Sequence, residues 1–276
     1  MQVSSNVLVS LFVVIAYTAA NGQDFRDPQD VSFQSHVDNS EQRYVILLPK
    51  TFDEKTPNDL LIVLHGHGSD RWQFVTAARP ECQAARDVAL KQNAIFVSPD
   101  YRAKTSWMGP AAEADLLQIL NELKQRFKIR NVIISGGSMG GTSALAFAAM
   151  HPKSVDAVVA LNGTANMLEY PNFLDAIAES YGGMKADKLD VYRERSAEFF
   201  PERLTMPLAV TTGGKDTLVP ADSTLRLVAS LKKQSSPVIS IHRPDGGHET
   251  NYDDTVAAFE FVFNQLAGKE NAIPGK

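Results

Sequence analysis

Ser138 is flanked by Gly136 and Gly137 on one side and by Gly140 and Gly141, beyond Met139, on the other. The apolar run at 131–135 leads into this cluster and a helix-forming stretch at 142–150 leaves it. A strand running into G-x-S-x-G and then into a helix is the context of a nucleophile elbow, in which a tight turn lifts the serine hydroxyl above the sheet edge. Only small neighbours at 136 and 140 let strand and helix approach so closely. The amide of Met139 then lies at a helix N-terminus, where it can stabilise an oxyanion.

A serine hydroxyl needs a base, and the base needs a group that holds its tautomer. Asp216 follows the apolar run 208–212 on the loop TGGKDTLVP, and His248 follows the run 238–243 on the loop DGGHE. Both therefore lie just past the C-terminal end of an expected strand, where open α/β sheets place their sites. Asp222, Asp245, Asp253 and Asp254 are alternative acids. His36, His65, His67, His151 and His242 lie in the leading segment, on an early loop, at a far helix end or within a strand, and compete poorly with His248. A second oxyanion donor is expected on the loop after the run 60–64, from the amide of His67, with Gly68 as the alternative. His65 and His67 have no third ligand at a recognisable spacing, and no phosphate-binding glycine loop is evident, so neither a metal nor another cofactor is expected.

These residues need a sheet to position them. Apolar, β-branched runs at 43–48, 60–65, 94–98, 131–135, 157–161, 208–212 and 238–243 read as strands. Helical patterns at 71–92, 111–127, 142–150, 221–233 and 251–266 alternate with them. Continuous apolar strands separated by helices predict an α/β fold, a mostly parallel, doubly wound sheet covered on both faces. The rhythm breaks at 163–207, which contains helical stretches near 173–181 and 188–203 and is expected to form a small lid over the strand ends.

The first residues differ in kind. Residues 7–17 are apolar and are followed by small residues, so 1–22 is expected to be a signal peptide cleaved after Ala20 or Gly22, although 1–6 carry no Lys or Arg. The stretch 7–20 falls short of the ~20 residues a membrane span needs, so secretion or periplasmic export without a membrane anchor is expected. Residues 23–42 read as a polar leader, 43–268 as one catalytic domain and 269–276 as a tail. The net charge of −5 and the absence of Lys/Arg runs exclude nucleic acid as the main partner. Cys82 is the sole cysteine, so no intrachain disulfide can form.

The set LHGHGS (64–69), SPDYR (98–102), ISGGSMGG (134–141), ERSAEFF (194–200), MPLAVTTGGKDTLVP (206–220) and DGGHE (245–249) resembles the α/β-hydrolase superfamily. Its nearest likeness is to the prolyl oligopeptidase-like catalytic domain and to secreted serine esterases. The resemblance implies the α/β-hydrolase fold over about 43–266, with Ser138 as nucleophile, Asp216 as acid, His248 as base, and His67 and Met139 as oxyanion donors. It also agrees with the order serine, acid, histidine along the chain. Prolyl oligopeptidases carry a β-propeller before this domain, and only about twenty polar residues precede the first strand expected here. An esterase acting on short-acyl esters, carbohydrate-linked ones included, is therefore expected, with a small-molecule or oligosaccharide ester as substrate. A peptidase and a non-catalytic binding protein on the same fold are the alternatives. Trp72, Tyr101 and Trp107 lie on or near loops after early strands and are expected to line the substrate site.

Overall fold

The computed structural model describes residues 24–271. The segment read as a signal peptide and the last five residues of the tail lie outside the described residues. The strands are β1 (Gln29–Gln34), β2 (Glu41–Leu47), β3 (Asn58–Leu64), β4 (Ile95–Pro99), β5 (Ile129–Gly137), β6 (Ala157–Leu161), β7 (Leu208–Gly213) and β8 (Val238–Arg243). They form one sheet in the order β1-β2-β4-β3-β5-β6-β7-β8. β1 and β2 enter antiparallel, and every pairing from β4 to β8 is parallel. The site-bearing β5 sits mid-sheet between β3 and β6, with Gly136 opposite Leu64 on one side and Ala160 on the other.

The apolar strands serve two cores at once. Leu60, Ile62 and Leu64 of β3 face one core, while Leu61 and Val63 face the other. The first core takes its helical cover from α3 (Pro110–Arg126), α4 (Met139–Met150) and α7 (Asp222–Lys233). The second is covered by α1 (Gln73–Thr76), α2 (Pro80–Lys91) and α8 (Tyr252–Asn271). With period-two side chains and both faces buried, a strand must be apolar throughout, which is why these runs are continuous rather than alternating.

Three elements depart from the sequence reading. The polar leader contains β1, an edge strand whose inward Phe33 is buried while its neighbours face solvent, so composition conceals it. The helix expected at 71–92 divides into α1 and α2. Pro80 has no amide hydrogen for a continuing helix and opens α2 instead, after an extended Arg79. The insertion carries α5 (Leu174–Tyr181) and α6 (Leu189–Glu194), but the rest of the stretch to 203 forms two short 3-10 turns, the second opened by Pro201.

The insertion is fastened to the loops at the strand ends. Tyr170 Oη donates to Leu218 O (2.9 Å) and Tyr181 Oη to Trp107 O (2.9 Å). The buried Arg195 guanidinium donates to Met108 O (2.6 Å) and pairs with Glu113 of α3.

Candidate active site

β5 ends at Gly137, and Ser138 takes φ 59° and ψ −119° before α4 begins. Such a conformation costs a non-glycine residue about 1–3 kcal/mol, and the flanking contacts hold it. The Ser138 amide donates to Leu161 O (2.8 Å), and Thr142 N donates to Ser138 O (3.0 Å). The glycines are required by proximity. A Cβ on Gly140 would stand 2.0 Å from Leu64 O, and one on Gly136 2.5 Å from the Gly140 carbonyl carbon.

Ser138, Asp216 and His248, far apart in sequence, meet above the strand ends. His248 Nδ1 donates to Asp216 Oδ2 at 2.6 Å, and Ser138 Oγ lies 2.8 Å from His248 Nε2, donating to it. Asp216 is buried, and its other oxygen accepts the amides of Leu218 (2.9 Å) and Val219 (2.8 Å), so the carboxylate has one orientation. None of the alternative acids contacts His248. Asp254, for example, pairs with Arg243.

One residue near the base was invisible in the sequence. Asn162, at φ 49° just past β6, accepts Thr211 Oγ1 (2.9 Å) and Thr250 Oγ1, and its amide nitrogen donates to Gly247 O (3.4 Å). It therefore braces the loop that carries His248. A lone asparagine without a motif gives no signal in a single sequence.

Among the described residues, the backbone amides of His67 and Met139 have no backbone acceptor, as two donors awaiting an oxyanion would. The alternative donor is excluded, because Gly68 N is committed to Lys104 O (2.9 Å). His65 is buried. Its Nδ1 lies 2.8 Å from Gly66 O and its Nε2 3.1 Å from Asp100 O, so it ties the loop to itself and to the end of β4. Desolvation by burial holds its imidazole below the ordinary histidine value.

A cavity of about 210 Å³ opens beside Ser138 and His248. Its walls include His67, Phe74 and Phe173 together with Arg79 and Glu81, which form an ion pair at 2.7 Å. None of the three aromatic residues expected there lines it. Tyr101 is buried and donates its hydroxyl to His65 O (2.6 Å), so it supports the loop from beneath. Trp107 is also fully buried and donates its indole N–H to His67 Nδ1 (3.1 Å). Trp72 packs on the α2/α8 core, with the Arg71 guanidinium 5.6 Å from its ring. Large rings near a site are as useful for packing its scaffold as for touching a ligand. The aromatics that do reach the cavity are Phe74 on α1 and Phe173, which the insertion delivers from a distance.

The profile of the prolyl oligopeptidase family matches residues 101–268. Dipeptidyl peptidase family member 6 of Caenorhabditis elegans is 27% identical over 130 residues, covering 42% of this chain. The match spans only 17% of that relative's length. Among solved structures, a ferulic acid esterase superposes with TM-score 0.67 at 19% identity, covering 89% of this chain and 99% of its own. An acylaminoacyl peptidase of Pyrococcus horikoshii superposes with TM-score 0.65 at 16% identity, covering 91% of this chain and 42% of its own. At such identities the superpositions establish the fold, that of the α/β-hydrolases.

Proposed function

The chain is a serine hydrolase that belongs to the prolyl oligopeptidase family, and we propose that it hydrolyses short-acyl carboxylic esters through an acyl-enzyme on Ser138. The observation that carries the triad is the unbroken relay from Asp216 through His248 to Ser138 Oγ. His248 Nε2 takes the hydroxyl proton as Oγ attacks the ester carbonyl carbon. The imidazolium so formed faces the Asp216 carboxylate, and the oxyanion is received by the amides of His67 and Met139. Collapse breaks the carbon–oxygen bond to the alcohol, which leaves with the proton from His248. Water then attacks the acyl-enzyme by the same sequence and restores the serine.

Cavity size supports short acyl groups. About 210 Å³ lies below the roughly 300–1,000 Å³ of sites for drug-sized ligands. The walls mix Phe74 and Phe173 with polar groups and offer no long apolar trench for a fatty chain. An ester with a good leaving group also demands less accurate proton delivery than an amide. Carbohydrate-linked esters belong to the same proposal, since the flat walls of Phe74 and Phe173 suit sugar and aryl rings alike. The family favours a second reading, a peptidase, for which the Arg79–Glu81 pair would supply charges to a peptide terminus.

Kinetics on p-nitrophenyl acetate, p-nitrophenyl palmitate and a prolyl peptide amide separate these readings. The expected order of kcat/KM is acetate, then peptide, then palmitate; a peptide that outperforms the acetate replaces the esterase by the peptidase. Export with cleavage after Ala20 or Gly22 is part of the proposal, and N-terminal sequencing of protein recovered outside the cell tests it.

A further inference from the structure

His67 is more than the owner of an oxyanion amide. His67 lines the cavity next to Ser138 and His248, and its ring packs at a tilt against Phe173, with ring centroids 4.2 Å apart. Behind it, Trp107 Nε1–H donates to His67 Nδ1 at 3.1 Å. An indole nitrogen can only donate, so Nδ1 must present its lone pair, and a neutral ring then carries its single hydrogen on Nε2. Burial lowers the basicity of this imidazole below the ordinary histidine value, in the same sense. Protonating Nδ1 would also forfeit the Trp107 bond. His67 cannot act as a second base, because its one lone pair is occupied.

Trp107 is itself fixed. It is fully buried, its carbonyl accepts Tyr181 Oη, and its ring packs against Tyr170 (5.3 Å) and Phe173 (5.5 Å). The insertion therefore clamps the donor that dictates the His67 tautomer. Among the described residues no protein group accepts from His67 Nε2. A neutral donor is thus left at the cavity wall without a protein partner.

Resting on the esterase reading, we propose that His67 Nε2–H donates to an uncharged acceptor oxygen on the substrate, an ether, hydroxyl or carbonyl of its acyl or alcohol part. Trp107 is the positioning residue that keeps this hydrogen on Nε2. The bond selects substrates oxygenated near the scissile ester over alkyl ones of the same shape.

Two isosteric pairs test this. p-Nitrophenyl methoxyacetate and butyrate differ by an ether oxygen for a methylene on the acyl side; 2-methoxyethyl and n-butyl acetate differ so on the alcohol side. In His67→Phe, which keeps a ring and the backbone amide, the methoxy/alkyl ratio of kcat/KM should fall about three- to tenfold for one pair, the worth of one uncharged hydrogen bond. The pair that responds identifies the side. Trp107→Phe should lower the same ratio. In ¹⁵N spectra of the imidazoles, wild-type His67 should show an unprotonated Nδ1 and protonated Nε2, and Trp107→Phe should lose that fixed tautomer. Ratios unchanged within about twofold for both pairs overturn the substrate contact, and a wild-type ring protonated on Nδ1 overturns the proposal whether or not Trp107→Phe folds. An enzyme that cleaves no ester in either pair overturns the esterase reading and the substrate contact with it, whereas the tautomer spectrum addresses His67 alone.

Discussion

At Ser138 backbone strain and chemistry are joined, since the φ of 59° that exposes the hydroxyl is also what points it at His248 Nε2. Ser138→Ala should keep the fold and lose about 10⁴-fold or more in ester turnover, as removal of a triad nucleophile does. Asp216→Asn should lose activity by orders of magnitude too, through the wrong imidazole tautomer and an unsupported imidazolium, with circular dichroism unchanged. His248→Ala should cost turnover on a similar scale, since His248 Nε2 is the group placed to take the serine proton. That Ser138, Asp216 and His248 belong near one another was legible because each lies in a glycine-rich motif just past a strand. Trp72, Tyr101 and Trp107 were misjudged because loop position predicts nearness to the site, not exposure, and Tyr101 and Trp107 are buried beneath it. Phe173 was missed for the opposite reason, since only the packing of the insertion brings it to His67.

The elements that hold these residues were mostly visible as apolar runs, and β6 and β8 begin and end where the sequence places them. What stayed hidden depended on partners far along the chain. β1 is a strand because β2 is there to pair with it, from Gln29 opposite Ile46 to Gln34 opposite Glu41. The β5–α4 junction is the tightest joint, and Gly140→Ala would press a methyl group against Leu64 O. We expect a loss of about 1–3 kcal/mol or more in urea unfolding and a larger fractional loss of activity, since the elbow must open to relieve the clash. The insertion is held differently, through a buried guanidinium. Arg195→Ala leaves Glu113 with His151 as its remaining partner and frees Met108 O; about 1–3 kcal/mol of destabilisation is expected from the lost hydrogen bonds. Trp107 adjoins Met108, so KM for methoxy esters should rise alongside. A lower melting temperature with unchanged KM would separate the insertion from the site.

At the scale of the whole molecule, the described residues form one sheet between two apolar layers, and their packing guards groups that lie far from the site. Cys82 is fully buried in the α2/α8 layer, and desolvation pushes its thiol up to about 12. At pH 8 the reactive thiolate is therefore scarce in the native protein, and a disulfide reagent should modify Cys82 only as denaturant opens the fold, in step with loss of circular dichroism. Rapid labelling of native protein would contradict that packing. The continuous apolar runs revealed the two-faced burial of the sheet, whereas the convergence of Ser138, Asp216 and His248 is a property of the assembled sheet alone. Catalysis depends on that convergence making one particular oxygen nucleophilic. Its most direct test is treatment of native protein with a fluorophosphonate, followed by intact-mass and peptide mapping. A single adduct on Ser138, abolished in Ser138→Ala and slowed severely in His248→Ala, is the predicted result. Native protein that stays unmodified, or that carries the adduct on another residue, would contradict it.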